Sequence, residues 1–262
     1  MIALAPTSWS SALATVRTLP MNTLFVQSIL CRHVDGQVWV DDARSPRAYY
    51  AVHPYGMALL WGDARDHDLG WLRDYLHAPH DPPEWLQVSP IEWAPVIEAE
   101  LAGVTRCTRV NFRFDRDAYR AARQSVASAL ARTTIVVTTA EMFAQITGSV
   151  VPMHFWRDAH QFVRDGGGFT VLVDGEPAAT AFCSYRHGDE LEIGIETAPR
   201  HRNQGLARLV ACALIDDCLE RHLEPVWACR LENTGSFELA KRLGFVPTRW
   251  LPYYQLPTLA ST

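Results

Sequence analysis

The chain has 262 residues, enough for two modest domains, and 48% of them are hydrophobic, which allows a sizeable core. A formal net charge of −5, with no run of Lys or Arg, argues against a nucleic-acid partner, which needs basic side chains to neutralise phosphates. No stretch has the roughly 20 continuous apolar residues of a membrane span, and the N-terminal MIALAPTSWSSALATV lacks a basic leader and is broken by Pro6, so the cytoplasm is the expected location and no membrane is expected as a partner.

No repeat is visible, and strands alternate with helices. Residues 36–42, 47–52 and 57–63 read as three short strands, rich in β-branched and aromatic side chains and separated by Gly, Pro and Asp. Asp66 to Leu76 carries apolar residues at helical spacing. Ser89-Pro90 reads as the cap and first position of a second helix reaching Gly103, with Pro95 either kinking it or marking a later start. Thr105 to Asp115 alternates as a strand, and 116–131 favours a helix. A domain boundary is placed here, giving 1–125 and 126–262.

In the second part, 133–139 reads as a buried strand, EMFAQI as a short helix and His154 to Arg164 as a helix stopped by the glycines 166–168. The segment from Phe169 to Thr197 predicts an antiparallel meander turning at Asp174-Gly175 and His187-Gly188-Asp189. A long helix runs from Arg202 to about His222, followed by a strand at 226–230, a short helix around Phe237 and a closing hairpin in FVPTRWLPYYQL. The six cysteines lie without CxxC or Cys/His ligand spacing, which predicts reduced, mostly buried thiols and no metal. His154, His160 and His187 read as surface or cleft residues.

The junction between the strand ending at Thr197 and the long helix carries the chemistry. A helix N-terminus presents unpaired backbone N–H groups at the positive end of its dipole, a seat for a pyrophosphate. Gly205 allows close backbone approach, Ala207 keeps the next position small and Arg202 adds charge. An ordinary strand-to-helix turn has the same look, so the downstream sequence matters.

The pattern R-x-x-G-x-A from Arg202 to Ala207, then N-x-x-S-x-x-L-A-x-x-L-G-F from Asn233 to Phe245, resembles the GNAT acetyltransferase superfamily over residues 133–256. The phrase EIGIETAPRHRNQGLA, with Phe155-Trp156 and VWAC at 226–229, more closely resembles the two-lobed subfamily that includes zwittermicin A resistance acetyltransferases. That resemblance implies an α/β (α+β) fold with a mixed, mostly antiparallel sheet flanked by helices. It also implies a divergent N-terminal lobe of the same kind as a substrate-side wall.

The resemblance further implies acetyl-coenzyme A as the acyl donor. The strand before the loop splays from its neighbour, and the pantetheine arm lies in the gap along Ile195, Glu196 and Thr197. Arg202, Asn203, Gln204, Gly205, Leu206 and Ala207 hold the pyrophosphate, with Asn233 and Ser236 at the cofactor's edge. Acetyl transfer needs a base to deprotonate the attacking amine. Glu192 and Glu196 are the candidates, sharing one strand face with Gly194 between them and Leu191, Ile193 and Ile195 opposite.

The sequence departs from the superfamily at the usual general acid, a tyrosine seven residues after the asparagine, where Ala240 stands. Three readings stay open: unassisted departure of the thiolate, another hydroxyl (Tyr253, Tyr254 or Ser236), or a silent domain. Cys229 is a minor candidate for a covalent acyl carrier. The leading functional reading is direct N-acetylation of a small-molecule amine, antibiotic-like by analogy to the subfamily, by a monomer or homodimer. Its rivals are a non-catalytic acyl-coenzyme A sensor and a protein acetyltransferase.

Overall fold

The computed structural model describes residues 1–65 and 68–258. They form two compact units, Met1–Arg109 together with the chain from Trp250, and Val110–Arg249. The first unit contains β1 (Ile2–Ala3), α1 (Trp9–Val16), α2 (Leu24–Leu30), β2 (Gln37–Val40), β3 (Ala48–Val52), β4 (Met57–Gly62), α3 (Arg73–His77), β5 (Trp85–Ser89) and α4 (Trp93–Glu100). Its sheet runs in order from β1 to β5, with only β4 and β5 parallel.

Period-two alternation sends Tyr50, Ala58, Leu60, Leu86 and Val88 to one face, where Leu72, Leu76, Trp93 and Ile97 complete a core. On the other face Tyr49 stacks on Trp61, whose indole donates to Thr15 of α1. The seven residues of α2 are all buried, Gln27 and Ser28 included.

The three expected strands are present. The helix expected from Asp66 is confined to Arg73–His77, and Asp66 itself lies outside the described residues. Ser89 is not a helix cap: it ends β5, opposite Trp61, and the following helix starts at Trp93 with Pro95 inside its first turn. Proline is tolerated there because first-turn N–H groups have no intrahelical partner. The sequence reading passed over α1, α2 and β5; β5 lacks alternation because Gln87 and Ser89 are as buried as Leu86 and Val88.

β6 (Thr105–Phe114) carries the chain into the second unit, which holds α5 (Arg116–Ser125), α6 (Ala127–Leu130), β7 (Ile135–Val137), α7 (Ala140–Gln145), α8 (Ala159–Gln161), β8 (Gly168–Val173), β9 (Glu176–His187), β10 (Glu190–Thr197), α9 (Leu206–Glu220), β11 (Glu224–Val226), β12 (Ala228–Arg230) and α10 (Thr234–Arg242). β13 (Phe245–Gln255) then leads back to the first unit, where Tyr254 and Gln255 pair with Leu86 and Trp85 of β5. The structural division at 109/110 precedes the sequence-based one at 125 because α5 is bound to α9. Asp216 of α9 accepts hydrogen bonds from Tyr119 Oη and, at 2.7 Å, from Arg123 Nε.

The five-stranded sheet of the second unit runs β11-β10-β9-β8-β7, antiparallel except between β10 and β11. The expected meander is β8, β9 and β10, turned at Asp174 and Gly175, whose φ values of 52° and 82° suit a tight hairpin.

The 133–139 strand is a short edge strand with Val137 61% exposed, not a buried one. The helix expected over His154 to Arg164 is broken into short turns, because Asp158 starts a fresh one by accepting from Gln161 N–H. The closing segment is one continuous strand, not a hairpin, its Pro247 and Pro252 tolerated where no ladder N–H is required.

Candidate functional site

β10 is paired with β9 from Glu190 to Thr197, but with β11 only at Glu190, Leu191 and Glu192. The expected strand at 226–230 is divided at Trp227. The Trp227 carbonyl accepts from Phe112 N–H of β6, its indole donates to Ser236 Oγ at 3.2 Å, and its ring packs on Phe245. These contacts draw β12 to β6 and away from β10. Among the described residues, Ile193–Thr197 therefore have a strand partner on one side only, and this is the splay.

Where the two strands part, the β9–β10 register slips, so that Glu192 faces Tyr185 while Ile193 faces Cys183. The intervening Ser184 donates from Oγ to the Glu192 carbonyl at 3.0 Å. The bulge lets Phe182 and Tyr185, three residues apart, share the face of Gly194 and Glu192, and Phe155 packs on both rings. A Cβ at 194 would collide with the Phe182 ring, which accounts for the glycine.

The chain leaves β10 through a short turn at Pro199–His201 and enters α9 through Asn203 (φ 63°) and Gly205 (φ 78°, ψ 0°). Gly205 is the N-cap residue and no side chain caps the helix. Among the described residues, none accepts from the backbone N–H of Asn203, Gln204, Gly205, Leu206 or Ala207, and the space beside Gly205 is open. Arg202 through Gly205 are exposed. Arg202 Nε donates to the Thr197 carbonyl at 3.2 Å, and its Nη2 lies 3.4 Å from Glu196. This is a ring of unpaired amides with one cation beside it, the donor set that a pyrophosphate requires.

The two candidate bases have different surroundings. Glu192 is only 4% exposed and lies across from Tyr185. Glu196 is held at both oxygens: Oε2 accepts from Ser149 N–H (2.9 Å), Val150 N–H (3.1 Å) and Ser149 Oγ (3.3 Å), and Oε1 from Thr197 N–H (3.1 Å) and Arg202. The 146–151 loop was not singled out by sequence. Its one available signal is Gly148, whose φ of 145° and contact with the Glu196 carboxyl exclude a side chain.

Asn233 caps α10 by accepting from Ser236 N–H at 3.2 Å, and Ser236 Oγ holds the Trp227 indole. Both stand on the segment that follows the splay. Ala240 is fully buried in α10. Tyr253 and Tyr254 belong to the first unit, where Tyr254 Oη donates to Glu98 at 2.7 Å and Tyr253 packs on Trp85. Cys229 is 5% exposed. Burial pushes the Cys212 thiol up to about 11 and the Cys218 thiol up to about 12, so neither offers a thiolate at neutral pH. Among the described residues, no three His, Cys, Asp or Glu side chains gather as metal ligands, and no helix is long and apolar enough to cross a membrane.

A family model described as GNAT acetyltransferase matches residues 17–254. The chain is 24% identical over 240 residues to the uncharacterized N-acetyltransferase YdfB of Bacillus subtilis, a match that spans 88% of this chain and 89% of that one. It superposes with a TM-score of 0.72 on a GCN5-related N-acetyltransferase-like protein from Streptococcus suis, at 19% identity, covering 96% of this chain and all of the other. A tandem GNAT protein from the clavulanic acid biosynthesis pathway gives a TM-score of 0.58 at 16% identity, over 100% and 99% of the two chains. The mixed α/β fold expected from the sequence is the fold these structures share.

Proposed function

Because the chain belongs to the GNAT acetyltransferase family, we propose that it is an acetyl-coenzyme A dependent N-acetyltransferase whose acceptor is the amine of a small molecule. The observation that carries this reading is the pairing of a one-sided strand, Ile193–Thr197, with an uncapped helix N-terminus immediately after it. The residues present fit the donor. Backbone N–H groups from Asn203 to Ala207 would hold its pyrophosphate with Arg202 beside them. The open edge at Ile195, Glu196 and Thr197 would take the amide-bearing arm as a further strand, and Asn233 and Ser236 would stand at its border.

When bound, acetyl-coenzyme A supplies the acetyl thioester. Glu192, withdrawn from bulk water beside the bulge, is assigned as the acceptor of the proton that the attacking amine must lose, since an ammonium has no lone pair to attack with. Glu196 is the less suited of the two, because five donors already occupy its oxygens, and a carboxylate offers about four lone-pair sites. Ala240 stands where the superfamily carries its tyrosine, and in this reading the thiolate leaves without a tyrosine from α10. The antibiotic-like nature of the amine, taken from the finer sequence resemblance, belongs to the same proposal.

Alanine at 240, where the superfamily carries its tyrosine, favours a second reading, a module that binds the acyl donor without turning it over. Calorimetric titration with acetyl-coenzyme A, followed by incubation with a panel of amines and assay of free thiol, separates the two. Binding with thiol release supports the transferase, binding without release supports the sensor, and absence of binding refutes both.

A further inference from the structure

We propose that Glu196 is a positioning residue that fastens the 146–151 loop against the open edge of β10 and so walls the track of the acyl donor. This rests on the donor site proposed above. Two consecutive amides, Ser149 and Val150, converge on one carboxylate oxygen, an arrangement that forms an anion-binding concavity out of backbone alone. The other oxygen receives Thr197 N–H from the open segment of β10 and the Arg202 guanidinium from the turn before α9. One side chain, 10% exposed, thus joins three stretches of chain: the loop, the strand edge and the donor turn.

The loop has no regular secondary structure to hold it there. Thr147, Gly148 and Ser149 are exposed, and only Ile146 and Val151 at its ends are buried. Its approach to Glu196 depends on Gly148, where φ is 145° and an added Cβ would run into the carboxyl group. His154 Nδ1 lies 3.2 Å from the Ser149 carbonyl, so the same loop carries a histidine with it. Glu196 and Gly148, 48 positions apart, form one device: the glycine brings two amides to the carboxylate, and the carboxylate keeps them. The Glu196 carboxylate also orients Arg202, whose guanidinium is otherwise tied, among the described residues, only to the Thr197 carbonyl. A loop wall and a cation set in place before binding both lower the ordering cost of taking up the donor.

The test uses the full chain, with acetyl-coenzyme A as the probe. In E196Q one carbonyl oxygen can serve either the loop amides or the Thr197 and Arg202 donors, not both. Donor binding by calorimetry is expected to weaken about 10-fold, while kcat at saturating donor stays within about 2-fold and the pH profile of kcat/KM keeps its shape. Amide hydrogen exchange at Ser149 and Val150 is expected to accelerate in the free E196Q protein. G148A should act in the same direction, and the double variant should be little worse than either single one, because both break the same contact.

Circular dichroism of each variant verifies that the fold is intact. If the unaltered protein does not bind acetyl-coenzyme A, the donor site falls and the latch with it. If it binds and E196Q binds equally well, or Ser149 and Val150 exchange at unchanged rates, the latch alone is overturned. Loss of kcat in E196Q with loss of the acidic limb of the pH profile would instead make Glu196 the base.

Discussion

The first unit holds a cluster of polar groups closed in on one another, whereas the second leaves a set of them open. Glu84, 4% exposed, accepts from the hydroxyls of Tyr50 and Tyr75 and lies 3.5 Å from His80 Nδ1. Burial raises its carboxyl above the ordinary carboxylate value despite those donors. His53 is driven down to about 3 by burial, and its Nδ1 accepts from Tyr55 N–H at 3.0 Å. Along β10 and α9 the pattern is reversed: the strand edge beyond Glu192 has one partner, and the five amides from Asn203 to Ala207 have none among the described residues. An unpaired backbone amide is tolerated only where water or a ligand can reach it, and the proposed donor site lies in this open region.

The change expected to erase that contrast most completely is G205E. It places a carboxylate at the amide ring and forces a side chain into a left-handed backbone conformation. Binding of acetyl-coenzyme A, followed by calorimetry, should fall by on the order of 1000-fold, and retained binding would show that the loop is not the donor seat.

Next in size is E192Q, which removes the assigned base while keeping shape. We expect kcat to drop by roughly 100-fold to 10,000-fold with donor affinity little changed. A variant as fast as the parent would return the role of base to another group.

In the closed unit, the His53 prediction concerns stability against pH. Its folded value lies below the ordinary 6.5, so the unfolded chain takes up a proton that the native state refuses between those two values. Stability is complete above 6.5 and declines as pH falls, by up to about 1.4 kcal/mol per unit from this group. Urea unfolding of H53N, which keeps an acceptor for Tyr55 N–H, should show a flatter dependence from pH 6.5 downward; an unchanged slope would mean that other groups govern it.

The smallest effect is expected at Asn233. Its removal as the cap of α10 in N233A should cost about 1 kcal/mol in thermal or urea unfolding. A loss of donor affinity with no loss of stability would show instead that its amide serves the ligand.

Local patterns carried much of this fold. The apolar run of Met57–Gly62, the alternation in Glu190–Thr197, the Asp174-Gly175 turn and the apolar stripe of α9 each report a constraint acting within a few residues, and each was legible. The turn into α9 was legible for the same reason: Gly205 stands where the backbone is left-handed and no side chain caps the helix. β5 and α2 were not legible, because both are buried on all sides and their polar residues, Gln87 and Gln27, hide the period.

What the sequence determined by itself was the family, the mixed α/β fold and the uncapped turn into α9. Only the tertiary structure decided which side of β10 stays open and which carboxylate is tied down. The first depends on Trp227 being captured by Phe112, Ser236 and Phe245, and the second on two amides 46 and 47 residues from Glu196. These contacts join residues far apart in the chain, and no local period or spacing encodes them.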